Sequence, residues 1–176
     1  MILNVAEIEA AKDDEQLFTL LSSTLGELFP PDLQGNREQF LAALAKAPRG
    51  LRAMAGMYDL DVSMSLDDLA WHFGNHSDER FLNETATSLR ELEAVEVADI
   101  FVSAWEIVKP HLSEIQNKDW EVKEFTEYLE KTGIKSKINP LNERMWAICS
   151  QAGKRGLMQY WLTYARKYPE RCVVSQ

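Results

Sequence analysis

The stretch "MSLDDLAWHFGNHSDERFLNE", residues 64–84, decides how this chain reads. Ser65 can cap a helix whose first turn holds Asp67 and Asp68, where carboxylates favour the positive end of the helix dipole. Gly74-Asn75 ends it, since both residues tolerate the left-handed conformation of a helix terminus. Ser77 restarts the chain, and Phe81, Leu82, Thr85, Leu89 and Leu92 then line one helical face. The stretch is a connection between two helices, and the same grammar runs outward from it in both directions.

Upstream, Leu17, Leu21, Leu25 and Leu28 recur at helical steps until Pro30-Pro31. Asn36 with Gln39 forms a capping signal for a helix through Phe40, Leu41 and Leu44, and Leu51, Met54 and Tyr58 predict a short one after Pro48. Downstream, Val97, Phe101, Ala104, Trp105 and Val108 form a face that ends at Pro110. Trp120 to Lys131 follows with Val122, Phe125 and Leu129 inward and Gly133 just beyond its end. Asn139-Pro140 signals another start, running through Leu141, Met145, Ile148 and Cys149 to Gly153. A final aromatic helix carries Leu157, Tyr160, Trp161, Tyr164 and Tyr168 up to Pro169. "RCVV" is too short to count as a strand. The expected fold is a single all-α domain over residues 1–176, an irregular bundle of about eight to ten helices.

Composition agrees with a globular chain: 176 residues, 45% hydrophobic and 27% charged. The start, MILNVAEIEAAKDDE, lacks a basic region and is broken by Glu7 and Glu9, so it does not read as a signal peptide. No run approaches the length of a membrane span. Two cysteines, Cys149 and Cys172, make no disulfide framework, and a cytoplasmic location is expected.

The net charge of −9 is unevenly spread. Residues 37–52 carry +3, residues 53–108 carry −10 with only Arg80 and Arg90 as bases, and residues 131–176 carry +7. Such a field repels nucleic acid from the middle of the chain and attracts basic partners. The same pattern also suits a soluble protein whose oppositely charged parts pack together. The basic Lys154, Arg155, Arg166, Lys167 and Arg171 offer a nucleic-acid site that the overall negative field opposes.

Motifs with catalytic specificity are absent. His72 and His76 flank Gly74-Asn75, and a zinc protease needs Glu directly after the first histidine, where Phe73 stands. A metal site of His72, His76 and Asp78, or a small hydrolase centred on that turn, would need ligands converging across the break. The simpler expectation packs His72 beside Trp71 and Phe73 and leaves His76 solvated, so that alanine at either position changes stability little. Cys149 lies on an apolar face and is expected to behave as a small hydrophobe, with pairing to His111 requiring tertiary proximity. No metal and no cofactor is expected.

The carboxylates carry more. Glu84 and Glu91 stand two turns apart, and Glu96, Asp99, Ser103 and Glu106 step by three, four and three along the next helix. A hairpin through Glu93-Ala94-Val95 lays two acidic stripes side by side, without the lysines that ordinarily alternate on an exposed helix.

Residues 51–108, "LRAMAGMYDLDVSMSLDDLAWHFGNHSDERFLNETATSLRELEAVEVADIFVSAWEIV", resemble the C-terminal domain of the bacterial DNA-mimic protein family. Gly74-Asn75 matches its polar turn, Phe81 and Asn83 its phenylalanine–asparagine segment, and Val97 to Val108 its last helix; the closing "YWLTYARKYPE" also fits. The family's paired glycines are single here, and its glycine between the hairpin helices is replaced near Glu93. The resemblance implies an all-α, acidic, non-enzymatic protein that occupies the DNA-binding surface of a basic protein such as a transcriptional regulator, possible as a homodimer. The expected contacts are Asp59, Asp61, Asp67, Asp68, Asp78, Glu79, Glu84, Glu91, Glu93, Glu96, Asp99 and Glu106, acting as phosphate surrogates. An immunity protein plugging a basic toxin nuclease, with a compact carboxylate cluster and aromatic anchors, is the alternative within the same class.

Overall fold

The computed structural model describes residues 3–173, without the side chain of Gln34. Met1 and Ile2 of the N-terminal start and Val174 of "RCVV" lie outside the described residues. Among the described residues the chain is helical throughout, without a strand: α1 (Val5–Ala10), α2 (Asp14–Leu28), α3 (Pro31–Gln34), α4 (Arg37–Leu44), α5 (Arg49–Leu66) and α6 (Leu69–Asn75). These are followed by α7 (Glu79–Glu91), α8 (Val95–Val108), α9 (Leu112–Gln116), α10 (Val122–Lys131), α11 (Ile134–Gln151) and α12 (Gln159–Lys167). Short 3₁₀ turns occupy Lys109–His111, Gly153–Met158 and Pro169–Arg171. The all-α bundle matches the sequence expectation, and segments as short as α3 and α9 raise the helix count above it.

The hub is α5, which is buried on most of its circumference by α2, α4, α6, α7 and α12. It is one long helix because Leu51, Met54, Met57, Leu60 and Met64 continue the helical spacing and nothing breaks it before Asp67. The short helix expected at Leu51–Tyr58 is therefore corrected, and so is the cap at Ser65. That residue lies inside α5 with its hydroxyl donating to the Asp61 carbonyl, while Asp68 caps α6 by accepting from the Trp71 N–H. Likewise Asp78, not Ser77, caps α7.

The packing of α7 on α5 is close enough that a Cβ on Gly56 would meet the Ser88 hydroxyl at 2.2 Å. At Gly74 a Cβ would meet the Phe125 ring at 2.9 Å. That residue is helical, so contact with α10 rather than a left-handed turn accounts for it.

Two other boundaries move. Asn139-Pro140 sits inside α11, which begins at Ile134 directly after Gly133, whose φ of 72° closes α10 as expected. Val122 is exposed rather than inward, and Trp120 fills that role by packing on Phe125 and Tyr128.

The α7–α8 turn is a Schellman motif: Ala94 N–H donates to the Leu89 carbonyl and Glu93 N–H to that of Arg90. Glu93 holds the left-handed position, with φ of 60°, where glycine is the usual residue. Its carboxylate reaches Lys167 at 2.7 Å and the Tyr168 hydroxyl at 2.7 Å, which anchors the turn to α12.

Candidate functional site

The twelve carboxylates do not form one stripe. Eight meet cations of the same chain: Asp59 with Arg37, Asp78 with Arg80, Glu79 with Lys109, Glu84 with Arg52, Glu91 with Arg49 and Arg171, Glu93 with Lys167, Glu96 with Arg144 and Asp99 with Arg90. Asp68 caps α6, and Asp61 is buried and accepts from the Leu157 N–H at 2.6 Å. Burial pushes the Asp61 carboxyl above its ordinary pKa, against the hydrogen bonds from the Leu157 and Met158 backbone. Asp67 and Glu106 are exposed and make no ion pair among the described residues.

Along the seam of α5 and α7 the carboxylates are structural. The helices run antiparallel, so Arg52 meets Glu84 and Arg49 meets Glu91. Arg52 grips Glu84 through two nitrogens at 2.7 and 2.6 Å, a bidentate pair with the Glu84 side chain only 11% exposed. Glu91, 12% exposed, is held by Arg49, Arg171 and the Tyr164 hydroxyl. Burial and the neighbouring Glu91 carboxylate push the Tyr164 phenol up to about 12. The face of α8 is different: Glu96 is 64% and Asp99 61% exposed, each touched by one exposed arginine at 3.4 and 3.2 Å. Ser103 and Glu106 continue that open face.

The histidines also differ from expectation. The helix continues through Gly74, so the rings of His72 and His76 lie 4.9 Å apart, and His76 is half-buried instead of solvated. His72 is fully buried against Phe73 and Phe101. The Ser63 hydroxyl donates its single proton to the Asp59 carbonyl at 2.8 Å, so it accepts from His72 Nδ1–H at 3.0 Å. His72 Nε2 is then a bare nitrogen without a partner.

His76 Nδ1 lies 2.9 Å from an Arg37 nitrogen, and a guanidinium can only donate, so this nitrogen accepts. Its 3.6 Å approach to Asp59 is therefore no salt bridge while the ring is neutral. Burial lowers both imidazole pKa values, that of His72 strongly, and the Arg37 charge adds to the effect. The Ser63 proton faces a backbone carbonyl rather than a base, and the one bare nitrogen of His72 has no path to solvent. This arrangement holds α4, α5, α6 and α7 together and offers no activated nucleophile.

Asp78 is engaged with Arg80 at the start of α7, and among the described residues no three His, Cys, Asp or Glu side chains are placed to hold a metal ion. Burial raises the Cys149 thiol to about 11, with the Asp61 carboxylate adding to the shift. His111 contacts Tyr128 instead of Cys149.

Sequence reasoning missed the cations that neutralise the seam. Four bases at residues 37–52 directly precede the acidic segment, and Arg49 and Arg52 recur one turn apart, so they share one face of a helix. Among the described residues no helix is long and apolar enough to cross a membrane. No protein-family model matches the chain, and neither does any curated protein or solved structure.

Proposed function

We propose that the chain is an acidic, non-enzymatic interaction protein that covers a basic patch on a nucleic-acid-binding protein in the cytoplasm, using the outer face of α8. The observation that supports it most is that Glu96 and Asp99 remain largely exposed under single, exposed arginine contacts while Glu106 is unpaired. Exposed pairs of that kind are worth about 0–1 kcal/mol, so a partner's lysine or arginine can replace them at little cost. The seam carboxylates, held through two or three bonds, are not available in that sense.

Charge density limits the mimicry. Three carboxylates over eleven residues of helix amount to about one per 5 Å, against about one per 1.7 Å along duplex DNA. The face therefore suits a few lysine or arginine side chains of one patch, and not a surface that wraps a duplex.

The test is capture of the native partner by the protein and by Glu96→Lys/Asp99→Lys/Glu106→Lys. Placing like charges together at an interface costs several kcal/mol, so the triple variant is expected to lose capture while keeping its helical circular dichroism. The matched control is Glu121→Lys/Glu124→Lys/Glu127→Lys, where Lys118 and Lys123 already dilute the field by pairing with Glu124 and Glu127. Equal weakening by both triples would mean that net charge alone acts. No weakening by either would make α8 an ordinary solvated face.

A further inference from the structure

A cleft of about 370 Å³ opens between α2, α4, α5 and α12, and its size falls within the range of about 300–1,000 Å³ typical of small-molecule sites. Five rings, Phe18, Phe29, Phe40, Tyr58 and Trp161, contribute to its wall. Phe18 stacks against Trp161 with centroids 6.1 Å apart, and Tyr58 stands 6.3 Å from the same indole.

Three features of this wall lack a structural purpose. Gly26 lies inside α2, where glycine costs about 1 kcal/mol relative to alanine. The glycines inside α5 and α6 are each forced by a neighbour within 3 Å of a would-be Cβ, whereas at Gly26 nothing lies within 4 Å. Ser22, one turn earlier on the same face, has a hydroxyl with no partner among the described residues, although Thr19 and Thr24 of this helix each donate to the carbonyl four residues back. The indole N–H of Trp161, a residue only 2% exposed, also finds no acceptor.

The polar end is Asp59. Arg37 and His76 both approach its Oδ2, which leaves Oδ1 without a partner among the described residues. A ligand that completes the cleft brings a flat apolar body for the rings and an N–H donor for Asp59 Oδ1. The net charge of −9 and the open oxygen of Asp59 favour a cation over an anion, and Arg155 over the Phe18 ring and Arg37 over the Phe40 ring show that these faces accept cations. We infer that the cleft is a binding site for a small aromatic amine, with Asp59 taking the ammonium, the rings taking the aromatic body, and Gly26 leaving room for it.

The test is isothermal titration calorimetry with 2-phenylethylamine and its carboxylate counterpart, 3-phenylpropionate, on the intact protein. The amine is expected to bind with Kd below about 1 mM and at least ~10-fold tighter than the carboxylate. Gly26→Leu fills open space at a helical position, so it is expected to keep or raise Tm and to abolish amine binding. Asp59→Asn is expected to erase the preference for amine over carboxylate, with circular dichroism confirming the fold. Absence of heat with the amine, equal affinity for the carboxylate, or undiminished binding to folded Gly26→Leu would each overturn the site. Loss of partner capture by Gly26→Leu in a protein that binds no amine would assign the cleft to a protein side chain and overturn it as well.

Discussion

Glu84 and Glu91 on α7 and Glu96, Asp99 and Glu106 on α8 belong to one acidic run, yet the first two are held and the last three are open. Helical spacing and residue type are the same in both groups. What differs is the element opposite: α7 lies along α5, which presents Arg49 and Arg52, and near the Pro169–Arg171 turn, which presents Arg171, while the outer edge of α8 faces solvent. A charge run thus records composition, and only the packing partner turns a carboxylate into a structural tie or leaves it free for another molecule.

The largest effect that separates the two regions is expected at His72, on the inner side. His72→Ala removes a fully buried ring from between Phe73 and Phe101 and is expected to cost about 2–4 kcal/mol in urea unfolding. This reverses the expectation from sequence that the change is nearly silent. A cost below about 0.5 kcal/mol, the scale of surface substitutions, would show the inner region to be as tolerant as the outer.

Next comes the seam itself. Glu84→Ala leaves Arg52 without its two short bonds, and a loss of about 1–3 kcal/mol is expected. A double-mutant cycle with Arg52→Ala measures how much of that is the pair. Coupling indistinguishable from zero would erase the contrast with α8.

A smaller effect is pH dependence. Both imidazole pKa values are lowered in the fold from an ordinary value of 6.5, so as pH falls the unfolded chain takes up protons first. The stability they contribute is complete above about pH 6.5 and drains as pH falls from there towards the folded values. Tm is expected to drop between pH 7.5 and 5.5, and His72→Gln should flatten that drop. Asp61, raised instead of lowered, acts with the opposite sign. A flat Tm profile over the window would show that the rings are solvated after all.

The smallest effect on stability is expected on α8: each of Glu96→Lys and Asp99→Lys should change it by under about 1 kcal/mol, whatever they do to partner capture. A seam-sized loss there would mean that the Arg144 and Arg90 contacts are structural, and the open face would vanish with them.

Much of the fold was legible because helix ends have chemical signatures. Asn36 accepts from the Gln39 N–H as its spacing predicts, and Gly133 sits just past α10 in the left-handed region. The faces Phe81–Leu92 and Val97–Val108 are buried where their periodicity places them. The failures share a cause, since each depended on a distant residue. Gly74-Asn75 does mark the end of α6, but without the left-handed turn expected of it, and the Phe125 ring against Gly74 is what the position answers to. Asn139-Pro140 reads as a start until Gly133, six residues earlier, is seen to begin the helix. The carboxylates read as one stripe until Arg37, Arg49, Arg52 and Arg171 are folded against them. No local pattern encodes a neighbour that lies 80 residues away, as Arg171 does from Glu91.

That separation also bears on how the protein is made. Glu93 leaves the ribosome 74 residues ahead of Lys167, which at ordinary translation rates is about 4 to 15 seconds. Until then Glu93 lacks its Lys167 contact and Glu91 has Arg49 but neither Tyr164 nor Arg171. Through Arg166 and Lys167, neighbours on α12, one helix ties both Asp14 at the start of α2 and Glu93 after α7, two points far apart in the sequence.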